Sequence, residues 1–218
     1  MKVAELIVGA LAEHGVRQVW GVVGDALNSL TDAIRADGRI EWIGVRHEEA
    51  AAFAVSAQAQ LSGTVGVCMG TVGPGSIHLL NGLYDAKKSH APVLAICGQV
   101  PSGEIGTDFF QEVDNDTLFA DVSVFAHTLM SPSQLPHLLE QAVNAAYALR
   151  GVAVLTLPGD VGELDLPRHT PLPSFAPRSV PASRCSRWPT CWARRWCSRS
   201  RRRRASSGTT RSRSASRD

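Results

Sequence analysis

The chain has 218 residues, and 44% of them are hydrophobic, which is ample for a buried core. We find no run of about 18 apolar residues to span a membrane and no secretory signal pattern, so we expect a cytoplasmic protein. The net charge of +2 conceals two unlike parts. Residues 1–181 carry 10 basic and 19 acidic side chains, whereas residues 182–218 carry 12 arginines and one aspartate.

Helix and strand patterns alternate along residues 1–166, which we interpret as one domain. Strands separated by helices predict an α/β fold with a doubly wound, mostly parallel sheet flanked by helices. Cys68 and Cys97 lie in two of the apolar runs and are predicted to be reduced core residues. The predicted helices lie near 3–14, 27–34, 47–63, 76–87 and 133–149, and the predicted strands near 18–23, 41–46, 64–69, 92–97, 122–130 and 152–157.

The corners that follow the predicted strands are candidates for a site. In a parallel sheet the carboxyl ends of the strands share one edge, where open α/β folds bind their ligands. We therefore expect four corners to converge there: Gly24-Asp25, residues 46–48, residues 70–75 and Gly98-Gln99.

Glu48 stands at one of these corners. It begins a helix so rich in alanine that we expect another element to approach its backbone closely. A carboxylate at a strand-to-helix corner is placed for chemistry. Acidic residues are also favoured in the first turn of any helix by the helix dipole, so the spacing leaves both interpretations open for Glu48 and Glu49.

The corner at 70–75, Gly-Thr-Val-Gly-Pro-Gly, offers free backbone N–H groups and little side-chain bulk, so a ligand can come close. Its spacing fits neither the dinucleotide fingerprint nor the P-loop. A tight turn without a ligand is the alternative.

The spacing does not indicate a metal site or a serine hydrolase. His14, His78, His127 and His137 fall on helix or strand patterns as packed or surface residues, and no pair has zinc spacing. The acids between 108 and 116 lack the order of a calcium loop, and no serine lies in a nucleophile elbow. We expect no metal ligands in this chain.

Eight segments form a pattern that extends beyond any single corner. They are Trp-Gly-Val-Val-Gly-Asp-Ala-Leu-Asn (20–28), Arg-His-Glu-Glu-Ala-Ala-Ala-Phe (46–53), Gln-Leu-Ser-Gly (60–63), Gly-Pro-Gly (73–75), Asn-Gly-Leu (81–83), Pro-Val-Leu-Ala-Ile (92–96), Ile-Gly-Thr-Asp-Phe-Phe-Gln-Glu (105–112) and Leu-Pro-Gly-Asp (157–160). In this order they resemble the N-terminal pyrimidine-binding domain of thiamine diphosphate-dependent enzymes. The pyruvate oxidase and quinone-dependent pyruvate dehydrogenase branch is the most similar, because acetolactate synthases carry Gly-Gly in place of Gly24-Asp25 and a lysine near Phe125.

The resemblance implies a reaction and a set of site residues. The reaction is oxidative decarboxylation of pyruvate on thiamine diphosphate, with a flavin taking the electrons. An acetolactate synthase-like carboligase or another 2-keto acid decarboxylase is the alternative. The implied site residues are Glu48 at the pyrimidine N1′, Gly73, Pro74 and Gly75 in backbone contact near the ring, and Phe110 and Gln111 on the substrate side.

The resemblance also implies parts that these segments do not supply. Family members bind FAD and Mg²⁺ in further domains, the Mg²⁺ through a Gly-Asp-Gly motif, and neither Gly24-Asp25 nor Gly159-Asp160 is followed by glycine. Members are homo-oligomers, dimers or tetramers, and full-length relatives can associate peripherally with a membrane. We expect little catalysis from this chain alone.

The composition changes after the predicted domain. Prolines at 167, 171, 173, 177 and 181 predict a linker over 167–182. Residues 183–218 are rich in Arg, Ser, Trp and Cys and contain no lysine, whereas a solvated nucleic-acid-binding arm usually mixes Lys with Arg. We interpret this segment as a disordered tail translated out of frame from a GC-rich gene and expect no nucleic-acid partner. The alternative of a different class is a non-catalytic fragment with a genuine basic tail that binds nucleic acid, in which Arg201 to Arg204 contact the phosphates.

The tail hypothesis is tested by reading the gene in its other two frames. We expect one of them to continue into the central domain of a thiamine diphosphate enzyme. If neither frame recovers such a sequence, the out-of-frame interpretation fails.

Overall fold

The computed structural model describes residues 1–175. The predicted tail, 183–218, and residues 176–182 of the predicted linker lie outside the described residues. The proposed boundaries at 166 and 182, the disorder of the tail and its frame stay predictions.

Six strands form one sheet in the order β2-β1-β3-β4-β6-β5, and every pairing is parallel, which confirms the α/β fold. The strands are β1 (Gln18–Gly21), β2 (Glu41–Gly44), β3 (Gly66–Gly70), β4 (Val93–Gln99), β5 (Ser123–Thr128) and β6 (Val152–Pro158). The helices are α1 (Val3–Glu13), α2 (Asn28–Asp37), α3 (Glu48–Ser62), α4 (Pro74–Ile77), α5 (Leu80–Lys88), α6 (Asn115–Leu118) and α7 (Leu135–Ala148).

The strand order reverses at β1. The chain goes from β1 outward to β2 and then returns to place β3 on the other side of β1. In open α/β sheets such a switch point opens a crevice beyond the carboxyl ends of the strands. The corners after β1, β2 and β3 are therefore the ones that the topology offers to a ligand.

Helices cover both faces of the sheet. Buried residues of α1, α2 and α7 pack on one face, and buried residues of α3 and α5 pack on the other. The strands β3, β4 and β6 are buried along their whole length, as expected for a sheet covered on both sides. Within residues 1–175 no helix has both the length and the apolar character needed to cross a membrane.

Cys68 and Cys97 lie buried on β3 and β4 as free thiols, as predicted. Burial raises the pKa of the Cys97 thiol to about 12, and burial raises that of Cys68 further. Both thiols stay protonated and serve as small apolar core residues.

Two predicted elements end differently in the structure. The apolar run of β1 continues to Val23, but the strand ends at Gly21 and Val23 is 62% exposed because the chain leaves the sheet there. The helix predicted at 76–87 is two helices, since the chain breaks after Ile77 and α5 begins at Leu80. The first of them begins at Pro74, whose fixed φ suits the first position of a helix.

The alanine-rich helix α3 packs closely against α5, which confirms the expected close approach. A Cβ atom on Gly82 of α5 would lie 2.5 Å from the Cβ of Ala52 and 2.6 Å from the backbone nitrogen of Phe53. Only glycine fits at this crossing, because the opposing atoms belong to a backbone that cannot move away.

We expect Gly82→Ala to lower the free energy of unfolding by about 2 kcal/mol, since overpacking outweighs the roughly 1 kcal/mol gained in helix propensity. Urea unfolding followed by circular dichroism measures this change. Gly103→Ala is the matched control, because no atom lies within 4 Å of a Cβ built there. Equal stability of the two variants would contradict the close packing.

Asp114 caps α6 and ends the loop that carries Phe110 and Gln111. Its Oδ1 accepts a hydrogen bond from the Thr117 amide at 3.1 Å, and its Oδ2 accepts one from the Thr117 hydroxyl at 2.6 Å. The hydroxyl bond first, and then the amide bond, holds the pKa of Asp114 below its ordinary value.

Asp114→Ala is expected to cost about 1 kcal/mol of unfolding free energy at pH 7. Because the carboxylate has a lower pKa in the folded state, its contribution is complete above its unfolded pKa of about 4 and is lost as the pH falls through the folded pKa. The gap between wild type and Asp114→Ala, from urea unfolding at pH 7 and pH 3, should therefore shrink at pH 3. Asp114→Asn, which keeps an acceptor without a charge, is the control, and a gap independent of pH would refute the role of the charge.

Candidate functional site

The predicted corners meet at the carboxyl ends of the strands, which we call the site edge. A Cβ atom on Gly24 would overlap the side chain of Thr71, which joins the corners after β1 and β3. A Cβ atom on Gly98 would lie 2.9 Å from the nitrogen of Val72, which brings in the corner after β4. The glycines at these corners let the corners after β1, β3 and β4 approach one another closely.

Glu48 is the first residue of α3 and is only 7% exposed. The chain enters the helix through His47, which has extended backbone angles and whose Nδ1 accepts a hydrogen bond from the Glu49 amide at 3.3 Å. This entry turns Glu48 inward and leaves Glu49 with 38% of its side chain exposed. The structure thus separates the two acids, and the solvated first-turn role falls to Glu49.

The two carboxylate oxygens of Glu48 have different surroundings. Oε2 accepts a hydrogen bond from Nδ1 of His78 at 3.1 Å. Oε1 faces Gly75, where an added Cβ atom would lie 3.4 Å away. One oxygen is therefore held by His78, and the other lies next to Gly75, against which Thr71 also packs.

His78 contacts Glu48, although the sequence patterns predict it as a packed or surface residue. Its ring stacks on that of His47, with centroids 4.4 Å apart and an interplanar angle of 27°. The two histidines are 31 residues apart in the chain, so no local spacing reveals the pair. The signal that could have found it is position, because His78 lies directly after the short helix that follows the glycine-rich corner.

Gly73 and Gly75 shape that corner. Gly73 has φ +60° and ψ −112°, and a Cβ atom there would lie 2.7 Å from the carbonyl oxygen of Gln111. Both the backbone angles and the contact require glycine at this position. Pro74 opens α4, and the hydroxyl of Ser76 donates to the carbonyl of Thr71 at 2.8 Å, which closes the turn.

Phe110 and Gln111 lie in the loop that covers Gly73. Gln111 has φ +68° and contacts Gly73 through its backbone, whereas Phe110 is 80% exposed. The loop is fixed at its end by Gln99, whose Nε2 donates to the carbonyl of Val113 at 2.6 Å. The structure thus places Gln111 at the site edge, whereas the ring of Phe110 is exposed to solvent.

A cleft of about 510 Å³ lies away from the site edge, between α1 and α2, with Lys2, Glu5 and Asp32 among its lining residues. None of the site-edge residues lines it. That a whole cofactor needs a second wall at the site edge stays a prediction of the resemblance.

The model of the thiamine pyrophosphate enzyme N-terminal TPP-binding domain matches residues 1–118. The match includes Glu48, the corner at 73–75, and Phe110 and Gln111.

Three relatives support the match. A putative thiamine pyrophosphate-containing protein of Bacillus subtilis is 49% identical over 152 residues, 69% of this chain and 26% of the relative. Pyruvate oxidase of Lactiplantibacillus plantarum is 42% identical over 162 residues, 74% of this chain and 27% of the relative. A probable acetolactate synthase large subunit of Methanocaldococcus jannaschii is 37% identical over 188 residues, 83% of this chain and 32% of the relative.

The aligned parts make up between a quarter and a third of these relatives. The family model matches more than half of the residues of this chain. The chain therefore belongs to the thiamine pyrophosphate enzymes, and the matched part is their N-terminal TPP-binding domain.

Proposed function

We propose that this chain is the pyrimidine-binding part of an enzyme that decarboxylates pyruvate oxidatively on thiamine diphosphate. The observation that carries the proposal is the buried carboxylate of Glu48, with Oε2 held by His78 and Oε1 facing Gly75. The 42% identity to a pyruvate oxidase supports the choice of pyruvate and of oxidation.

The residues at the site edge fit the aminopyrimidine end of the cofactor. A flat ring that carries a nitrogen needs a hydrogen-bonding group at its edge and backbone without side chains beside its face, and Glu48 and Gly75 offer these two features. When bound, thiamine diphosphate supplies the carbon nucleophile and the electron sink that decarboxylation of a 2-keto acid requires.

In this proposal Glu48 holds a proton at the pyrimidine N1′. His78 fixes the orientation of the Glu48 carboxylate by its bond to Oε2, so that Oε1 stays directed at the ring. The burial of Glu48 keeps water from competing for that oxygen. Phe110 and Gln111 stand on the substrate side, where the exposed Phe110 ring offers an apolar cover.

Several further properties belong to the proposed whole enzyme. Its FAD and its Mg²⁺ would bind in domains beyond this chain. Its active form would be a homo-oligomer in the cytoplasm, in which the cofactor cleft is complete. The chain alone would bind the cofactor weakly and turn over little pyruvate.

An acetolactate synthase-like carboligase is the second candidate. The 37% identity to a probable acetolactate synthase large subunit over 83% of this chain favours it. The corner Gly24-Asp25 and Phe125 favour the oxidase branch. The two candidates differ in their product from pyruvate, which is acetolactate for the carboligase and a reduced electron acceptor with acetate or acetyl phosphate for the oxidase.

The proposed role of Glu48 is tested in the enzyme whose downstream reading frame has been restored. We expect Glu48→Gln to lower kcat for pyruvate-dependent dye reduction at least about 100-fold, because a positioned proton-transfer group contributes that much or more. Glu49→Gln is the matched control and should change kcat less than about twofold, since its carboxylate lies outside the site and meets Asn81. Activity that survives Glu48→Gln would remove Glu48 from the mechanism, and acetolactate as the main product would favour the carboligase.

A further inference from the structure

The loop between β4 and α6 carries Phe110 and Gln111 at the tip of a tight turn, residues 109–112. The amide of Glu112 donates a hydrogen bond to the carbonyl oxygen of Phe109 at 2.8 Å, which closes this turn. We propose that Glu112 is a positioning residue, whose carboxylate sets the conformation in which Phe110 and Gln111 meet the substrate. This inference deepens the proposed function and rests on it, because that function is what gives the two residues a substrate to meet.

Both oxygens of the Glu112 carboxylate bind the backbone of the loop. Oε1 accepts a hydrogen bond from the Gly106 amide at 2.5 Å, and Oε2 accepts one from the Phe109 amide at 3.2 Å. Hydrogen bonds to a charged acceptor are stronger than those between neutral groups. The main chain and the side chain of Glu112 therefore both bind Phe109, across the two residues at the tip of the turn.

The backbone at the tip adopts angles that its side chains disfavour. Gln111 has φ +68° at the third position of the turn, and Asp108 has φ +60° just before the turn. Left-handed angles are ordinary for glycine, but other residues keep them only where the surrounding contacts hold them in place. The two amides that Glu112 binds, at Gly106 and Phe109, lie on either side of Asp108, so the carboxylate encloses part of the strained stretch.

Other residues hold the ends of the loop. The carboxylate of Asp160 accepts hydrogen bonds from the amide of Ser102 at 2.8 Å and from its hydroxyl at 2.6 Å. Nε2 of Gln99 donates to the carbonyl oxygen of Val113 at 2.6 Å. Among residues 1–175, the side-chain bonds to amides within 103–112 both come from Glu112. Its carboxylate is therefore the side chain that fixes the inside of the loop.

The effect of Glu112 reaches the site through the turn. The backbone of Gln111 packs on Gly73 at the site edge, and the ring of Phe110 is 80% exposed. Loss of the carboxylate would release two amides and let this tip leave its position. A misplacement of about 1 Å can lower a rate about 100-fold. The loss should fall on pyruvate and spare thiamine diphosphate, whose ring we assign to Glu48 and the 73–75 corner.

The first test of this role needs no reaction. Amide hydrogen exchange in the 218-residue chain, followed by ¹⁵N NMR, should become at least about tenfold faster at Gly106 and Phe109 in Glu112→Ala. Glu104→Ala is the matched control, because it removes the same charge from the same loop. The Glu104 carboxylate accepts from the Thr107 hydroxyl at 3.5 Å and from no amide among residues 1–175, so both exchange rates should stay at their wild-type values. Glu112→Gln, which keeps one acceptor oxygen, should give intermediate rates.

The second test is pyruvate-dependent dye reduction by the enzyme whose downstream reading frame has been restored. Glu112→Ala should lower kcat/KM for pyruvate at least about tenfold and keep the KM for thiamine diphosphate within about twofold of the wild-type value. Glu112→Gln should recover part of the loss, and Glu104→Ala should match the wild type. Circular dichroism checks that every variant is folded, and Glu112→Gln carries the comparison if Glu112→Ala does not fold.

The outcomes separate this inference from the proposed function. Wild-type exchange at Gly106 and Phe109 in the Glu112 variants, an unchanged kcat/KM for pyruvate, or an equal rise in the KM for thiamine diphosphate would overturn the role of Glu112 alone. A restored wild-type enzyme that does not consume pyruvate would overturn the proposed function, and the positioning role would fall with it, whatever the exchange rates.

Discussion

A buried carboxylate at the start of a helix is the constraint on which the site depends. Burying Glu48 costs free energy unless a partner compensates, and His78 supplies that partner from a different helix corner. Holding the two corners together requires α3 and α5 to pack closely, which the small residues at Ala52 and Gly82 permit. The alanine-rich sequence of α3 is therefore part of how the carboxylate is positioned, although most of its residues lie away from the site edge.

The glycines of the 70–75 corner lie opposite Glu48 and allow the close packing around its carboxylate. Gly73 has backbone angles that other residues avoid. The backbone of Gln111 also packs where a side chain at this position would lie. A Cβ atom on Gly75 would lie 2.8 Å from Cγ2 of Thr71 and 3.4 Å from Oε1 of Glu48. Close packing therefore explains both glycines, and contact of this corner with a ligand stays a prediction.

Much of this arrangement follows from local sequence. Continuous apolar runs identify the buried strands, for example β4 and β6, and the rule that parallel strands end at one edge brings their corners together. The same patterns leave the order of the strands open. The insertion of β6 between β4 and β5 depends on long-range packing that no local period encodes.

The chemistry of the site divides in the same way. Glu48 is conspicuous because it follows a strand, but which of two adjacent acids turns inward depends on the extended backbone of His47. The bond from His78 depends on the break between α4 and α5, where the apolar pattern predicts one continuous helix. Long-range contacts of this kind become visible only when the elements are packed.

The most direct test of the central claim is the ¹⁵N NMR spectrum of thiamine diphosphate labelled at the pyrimidine N1′, recorded with the enzyme whose downstream reading frame has been restored. We predict that the N1′ resonance moves toward the value of a hydrogen-bonded or protonated nitrogen as protein is added. The shift should disappear with Glu48→Gln and persist with Glu49→Gln. An N1′ resonance that stays at its free position with excess protein, or a shift that Glu48→Gln leaves intact, would contradict it.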